Sequence, residues 1–446
     1  MARSTCTRNV AQLVAAISAL TAGLAGCTGS GDEPTLAKQA DAPESVEIPP
    51  VPADGPKLGA LADVTPVVDQ PKAGAKQIGY LHAGARVTRT KDALGTDGCS
   101  GGWYPVRPRG VVCAGTIATT NLEHPTLVAM ALQPKLDQPL PYTYARAQKQ
   151  TALYKRSPSK DNAVVEVAKV NSRAGMAIVG SWSALDPDGK MQRLGMLTNG
   201  LFIKAADLKA AKPSKFAGIE LDKKTELPVA FVVKRGVRAW DVDGSEATKK
   251  KKLKYHEKLT LTGRFRTVAG HQYWAVQDGR YVRHRDVTVV RRRNAFPDFA
   301  TGEQKWIDVS VITGTAILYE GRRPVFATLV SVGRDRLGDT EQGAVTARGT
   351  FHIAGKHITA AKLNPKGLTE YYEIYDLPWA MELSSGQLMH GAFWHNRFGI
   401  EHGPGNLQFS PADAARIWQW ATPAVPAGWH GVNQPDEART IVHIRK

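Results

Sequence analysis

Along most of the chain, short runs of alternating apolar and polar residues end at Gly, Asp or Asn, the pattern of brief antiparallel strands joined by tight turns. Three of these runs finish alike. Gly110-Val111-Val112-Cys113, Gly200-Leu201-Phe202-Ile203 and Gly279-Arg280-Tyr281-Val282 each set a turn glycine before an apolar strand. The last two continue through Ala206-Asp207-Leu208 and Arg285-Asp286-Val287, which predicts a weak internal repeat of about 80 to 90 residues. Further on, Lys305-Trp306-Ile307-Asp308-Val309 alternates as a half-buried strand. One helix start is clear. Ser410-Pro411-Ala412-Asp413 offers a hydroxyl N-cap, Pro at the first helical position and an acid three residues past the cap, ahead of apolar Ala414, Ile417 and Trp418. The expected fold class is mainly β: small β barrels followed by a C-terminal β sandwich that carries one short helix.

The N-terminus breaks this pattern. Arg3 and Arg8 precede an apolar stretch from Val10 to Leu24, too short for the roughly 20 residues of a spanning helix. Leu24-Ala25-Gly26-Cys27 then resembles a bacterial lipobox. That resemblance implies cleavage before Cys27, a lipid on its thiol and, with Thr28 rather than Asp next, residence at an outer membrane facing the periplasm. Residues 27–57 are rich in Pro, Ala, Gly and acids, so they are expected to form a flexible tether. About 30 residues at about 3.3 Å each reach roughly 100 Å.

Of 446 residues, 42% are hydrophobic, enough for about three domains. The net charge is +17, or +15 once the two arginines of residues 1–26 are removed. In an exported protein such a surface points away from nucleic acid and toward an anionic envelope polymer. Lys249 to Lys254, KKKKLK, concentrates this charge on an expected hairpin tip or loop. The cysteines are Cys6, Cys27, Cys99 and Cys113; in an oxidising compartment the last two are expected to form a disulfide.

The segment from Ile78-Gly79-Tyr80-Leu81 through Gly102-Trp103-Tyr104 to the closing Gly-Val-Val strand resembles a bacterial SH3-like domain. Two later segments follow the template less closely, with Tyr273-Trp274 matching its Trp-Tyr strand in the third. The expected domains are a signal segment 1–26, a tether 27–57, β modules over 58–150, 151–228 and 229–300, and a C-terminal domain over 301–446.

That last domain resembles the L,D-transpeptidase family. The resemblance rests on Lys305 to Val309, Tyr319-Glu320-Gly321, Pro324-Val325-Phe326, Ser331-Val332-Gly333, the spaced set Thr346, Gly349, Phe351, Ile353 and Lys356, Asp376-Leu377-Pro378-Trp379, and Leu388-Met389-His390-Gly391-Ala392-Phe393-Trp394-His395. Enzymes of this family attack a peptidoglycan stem peptide with a cysteine in a Ser/Thr-His-Gly-Cys turn, activated by a neighbouring imidazole. Gapless register from Phe398-Gly399 to the Ser410 cap sets Gly403, Pro404, Gly405 and Asn406 on those four positions and Gln408 on a following polar one. A competing register uses Glu401-His402-Gly403-Pro404 and needs two inserted residues. In either register the thiol is missing, because no Cys follows Cys113. Pro404 and Asn406 supply neither base nor nucleophile.

These readings lead us to expect a lipid-anchored protein with a non-catalytic C-terminal domain that binds peptidoglycan stem peptides or a cell-wall enzyme. An active L,D-transpeptidase and a structural envelope protein are the alternatives. No confident catalytic residue, cofactor or metal ligand emerges. His390 keeps the family's upstream position, and Tyr372, Trp394 and His395 are candidates to line a peptide groove.

Overall fold

The computed structural model describes residues 46–335, 337–338, 344–361, 373–433 and 439–446. Residues 1–45, with the signal segment and Cys27, lie outside the described residues, as does Tyr372.

Three modules of seven short strands precede the C-terminal domain. The first contains Lys57–Ala60, Thr65–Val68, Gln77–Leu81, Arg86–Thr88, Trp103–Pro105, Val111–Cys113 and Ala118–Thr119. The second contains Thr143–Ala147, Thr151–Arg156, Val164–Val170, Gly175–Leu185, Met191–Leu197, Phe202–Lys204 and Leu208–Ala210. In the third they are Val229–Val232, Arg238–Asp243, Glu246–Lys252, Lys258–Val268, His271–Val276, Tyr281–Arg283 and Val287–Val290. Numbered within its module, every set pairs in the order 3-2-6-5-4-1-7. In the first module the ladder is interrupted between strands 5 and 4, where the single bridge Arg89 to Val106 spans the gap. The second and third also share a 3-10 turn before the last strand, Ala205–Asp207 and His284–Asp286, at the Asp-Leu and Asp-Val pairs that suggested a repeat.

Two local expectations need correction. The tether is shorter than residues 27–57, because Val46 N–H donates to Gln70 Oε1 (3.0 Å) and Ile48 packs against Val68, Trp103 and Val111 of the first module. One partly buried isoleucine among prolines outweighs the disorder that composition suggests. The lysine run is not at a hairpin tip or loop either. Lys249 to Lys252 belong to strand 3 of the third module, an edge strand paired only with strand 2. Exposed lysines on an edge oppose pairing with a further strand, which gives them a structural use in that place. Cys99 and Cys113 are joined as a disulfide within the first module.

The C-terminal domain is a two-sheet sandwich built around the long strand Gly349–Ala361. Its first half pairs antiparallel with Ile441–Arg445, which runs parallel to Lys305–Ser310; Thr315–Glu320 and Arg323–Leu329 complete that sheet. Its second half pairs with Asp376–Leu383, followed by Leu388–Gly391 and Leu407–Phe409. Between the sheets lie Ile307, Leu318, Ile353, Trp379, Met381, Met389 and Phe409, all at most 3% exposed. Burial on this scale contributes about 2 kcal/mol per large side chain. The helix Pro411–Trp420 closes one side, and the Ser410 hydroxyl accepts from Asp413 N–H at 3.1 Å, the cap that its sequence predicts.

The modules dock onto this sandwich in different ways. The first extends its sheet, pairing Gly79 and Tyr80 with Val432 and Gly431. The second meets Asp376, whose buried carboxylate accepts from Ala177 N–H (3.0 Å) and Thr198 Oγ1 (2.8 Å). Leading into the third, Ile219–Glu220 pairs with Phe326 and Ala327, and Gly218 N–H donates to Asp413 Oδ1 at 2.7 Å.

Candidate functional site

Leu388–Gly391 and Leu407–Phe409 run parallel, with His390 opposite Gln408, so the loop between them leaves and re-enters the same sheet. Alternation along the strands puts Leu388 and His390 on one face with Asn406 and Gln408. The loop that carries Gly403, Pro404, Gly405 and Asn406 thus joins two neighbouring strands of one sheet.

Gly403 and Gly405 have φ of +90° and +89°, in the region that side chains avoid. A Cβ on Gly403 would stand 2.2 Å from Gln408 Nε2, and one on Gly405 would stand 2.7 Å from Val345 O. Around the turn, Thr346 Oγ1 donates to Gly405 O (2.8 Å), and Gln387 Nε2 donates to Gly405 O (3.2 Å) and Val345 O (3.1 Å). Asn406 Oδ1 accepts the Leu388 N–H at 3.2 Å. Asn406 is therefore a clasp between two strands.

Three histidines gather beside it. His390 is 2% exposed, its Nδ1 lies 3.1 Å from Gly391 O, and its ring stacks on Trp394 with centroids 5.7 Å apart. Burial pushes its pKa down to about 4, so it is neutral at pH 7. His395 Nδ1 accepts Arg397 N–H (3.0 Å), which leaves Nε2–H to donate to Gln408 Oε1 (2.7 Å). Burial first, and the nearby His402 second, lower its pKa to about 3. Gln408 Nε2 in turn donates to His402 O at 3.1 Å, and the His395 and His402 rings sit 4.1 Å apart, edge to face. Three uncharged imidazoles offer no cation to steady a thiolate.

Nearby hydroxyls are committed elsewhere. Ser331 Oγ donates to Arg397 O (2.5 Å), and Ser410 Oγ caps the helix. Among the described residues, no group of three or more His, Cys, Asp or Glu is arranged to hold a metal ion.

Two modules cover the loop that follows His390. Phe393 packs on Tyr144 of the second module (4.5 Å between centroids), while Phe398 packs near Phe216 and His256 and Asn396 O accepts from Tyr255 Oη at 3.3 Å. Trp394, expected at a groove, packs among Phe393, Phe398 and Ile374, and its buried indole N–H has no partner among the described residues. His390, Trp394, His395 and Gln408 are brought together; Asn406 lies on the same face of the sheet, against Leu388. Sequence reasoning passed over Gln387, whose only signal is a polar residue beside an apolar strand, and named Thr346 only within a spaced set without its bond to Gly405 O.

Chains of solved structures match with probability 1.00: an L,D-transpeptidase from Xylanimonas cellulosilytica (17% identity, TM-score 0.23, covering 34% of this chain and 65% of that one) and one from Mycobacterium smegmatis (17%, 0.25, 54% and 89%). A third, an L,D-transpeptidase in complex with imipenem, has 22% identity and a TM-score of 0.24, covering 42% of this chain and 78% of that one. No curated protein matches the chain. The last third of the sequence, residues 304–443, matches the YkuD family model, the L,D-transpeptidase catalytic domain.

Proposed function

We propose that this is an exported, lipid-anchored envelope protein whose L,D-transpeptidase-like domain binds peptidoglycan stem peptides or a cell-wall enzyme without catalysing acyl transfer. The observation that carries this reading is the turn itself. Acyl transfer by this family needs a thiolate to attack the stem-peptide carbonyl, expel D-alanine as leaving group and hold the acyl chain as a thioester until an amine takes it. Residues 304–443 contain no Cys, and Asn406 is engaged with Leu388 N–H. The three preceding modules, with one strand order among them, support the reading of SH3-like repeats that carry and cover the domain. Lipidation at Cys27 and an outer-membrane location follow from the lipobox resemblance.

The test is to mix the chain from residue 46 onward with purified sacculi, then measure co-sedimentation together with new cross-links and protein mass. We expect binding without covalent product. A thioester, ester or new cross-link would overturn the non-catalytic reading, and absence of binding would overturn the wall-binding one.

A further inference from the structure

The third module carries a second surface that the C-terminal domain does not use. Between residues 229 and 290 there are 14 lysines and arginines against six acids, a net +8 of the chain's +17. So much like charge in so few residues raises the concentration of anions at that surface. Its distribution is specific. Trp240, Val242, Val268 and Tyr273 form a small apolar cluster of their own, apart from the module core that contains Leu259, Trp274 and Val282. Cations lie over these rings. Arg283 Cζ stands 4.2 Å from the Trp240 ring centre and 5.4 Å from that of Tyr273; Lys249 Nζ is 5.9 Å from Trp240, and Arg266 Cζ is 5.9 Å from Tyr281. Stacking on an aromatic face fixes a guanidinium without using up its charge.

Among the described residues, none of Arg283, Lys249 and Arg266 is paired with a carboxylate. Arg283 Nε donates to Tyr273 Oη (3.0 Å), and Arg266 donates to Val242 O (3.3 Å). Asp241 on the same strand as Trp240 is engaged by Lys250 at 3.3 Å. Trp240 is 7% exposed, yet its indole N–H is buried without a hydrogen-bond partner among the described residues. An unmet donor beside an arginine and a lysine is a site that lacks an acceptor. Next to it, Arg264, Phe265, Arg266, Gln277 and Tyr281 line an open hollow of about 580 Å³, with Phe265 52% exposed. A hollow with an exposed ring suits a chain of sugars, whose flat faces pack on aromatics, better than it suits a flat bilayer.

We propose that this face of the third module binds an acidic glycan, with Arg283, Arg266 and Lys249 holding its carboxylates or phosphates and the exposed Phe265 and half-buried Tyr281 packing on its sugars. This site is separate from the His390 region, so it stands whether or not the C-terminal domain is catalytic.

Titration of the full chain with polygalacturonate, followed by calorimetry and tryptophan fluorescence, tests it. We expect binding that weakens steeply with salt, no binding to neutral dextran of equal length, and a loss of about tenfold in K249Q/R283Q, as charge-assisted contacts would give. Trp240→Phe keeps the ring and removes the N–H, and should weaken binding by about threefold. Circular dichroism checks that each variant is folded, and Arg280→Gln, a residue already paired with Glu257 and Asp278, should leave affinity unchanged. Equal binding of dextran, or wild-type affinity in folded K249Q/R283Q, would overturn the proposal. Tighter binding to phosphatidylglycerol vesicles or to a thymidine oligonucleotide than to polygalacturonate, through the same residues, would replace the glycan with that partner.

Discussion

Converting the Gly403 to Asn406 turn back toward Ser-His-Gly-Cys should fail in a graded way that follows from its backbone. Gly403→Ser puts a side chain at φ +90°, which costs roughly 1–2 kcal/mol for an L-residue. Its Cβ also displaces the Gln408 amide, which bridges His395 Nε2 and His402 O, and each lost hydrogen bond is worth about 1 kcal/mol. The sum is about 3 kcal/mol. Gly405→Ala meets Val345 O at 2.7 Å, a backbone atom that cannot swing aside, so it should cost at least as much. Asn406→Cys removes only the acceptor for Leu388 N–H, about 1 kcal/mol. Thermal unfolding of the full chain, read in the transition that includes the C-terminal domain, should show shifts of about 2–4 °C per kcal/mol, largest for the two glycine variants and smallest for Asn406→Cys. Asn406→Cys should also remain inactive toward sacculi, since Pro404 brings no imidazole and burial leaves His390 and His395 too weakly basic to take up a thiol proton. If Gly403→Ser were silent, or if Asn406→Cys alone gave robust cross-linking, the account of the turn would be wrong.

Other consequences concern pH and the buried acids. His390 and His395 are depressed by burial to about 4 and about 3, below 6.5 in the unfolded chain, so their contribution to stability is complete above pH 6.5 and is lost as pH falls toward 4. For His390 this amounts to about 3 kcal/mol. Asp376 and Asp413, raised by burial to about 6, act oppositely between pH 6 and 4 and blunt the fall. Melting temperature should therefore drop from pH 7 to 5, and less so in His390→Phe; an unchanged profile in that variant would contradict the assignment. Asp413→Ala leaves Gly218 N–H without its acceptor and Thr328 Oγ1 with only a long bond to Leu329 O (3.4 Å), and should cost about 3 kcal/mol in urea unfolding, with part recovered in Thr328→Val/Asp413→Ala.

Much of the C-terminal domain was legible because its signals are local. The Ser410 cap and the run from His390 to His395 each sit within a few residues of what they specify. Long-range facts were not. That all three modules share one strand order was only hinted at by two Asp-Leu and Asp-Val endings, since seven short strands tolerate many sequences once the apolar positions alternate. Phe393 and Phe398 entered only as parts of matched motifs, and nothing local says that other modules supply their partners Tyr144 and His256. Lys249 to Lys252 suggested a loop because lysine has low strand preference, yet an edge position makes it favourable. Ile48 tied down a segment whose prolines argued for a free tether.

The central claim, that this domain has kept its fold without its nucleophile, is tested most directly by intact mass. The chain from residue 46 is incubated with imipenem, the drug held in one of the solved L,D-transpeptidases, and then weighed and mapped by peptide. The account predicts an unmodified mass at every time point. A drug adduct located between Gly403 and Ser410 would contradict it.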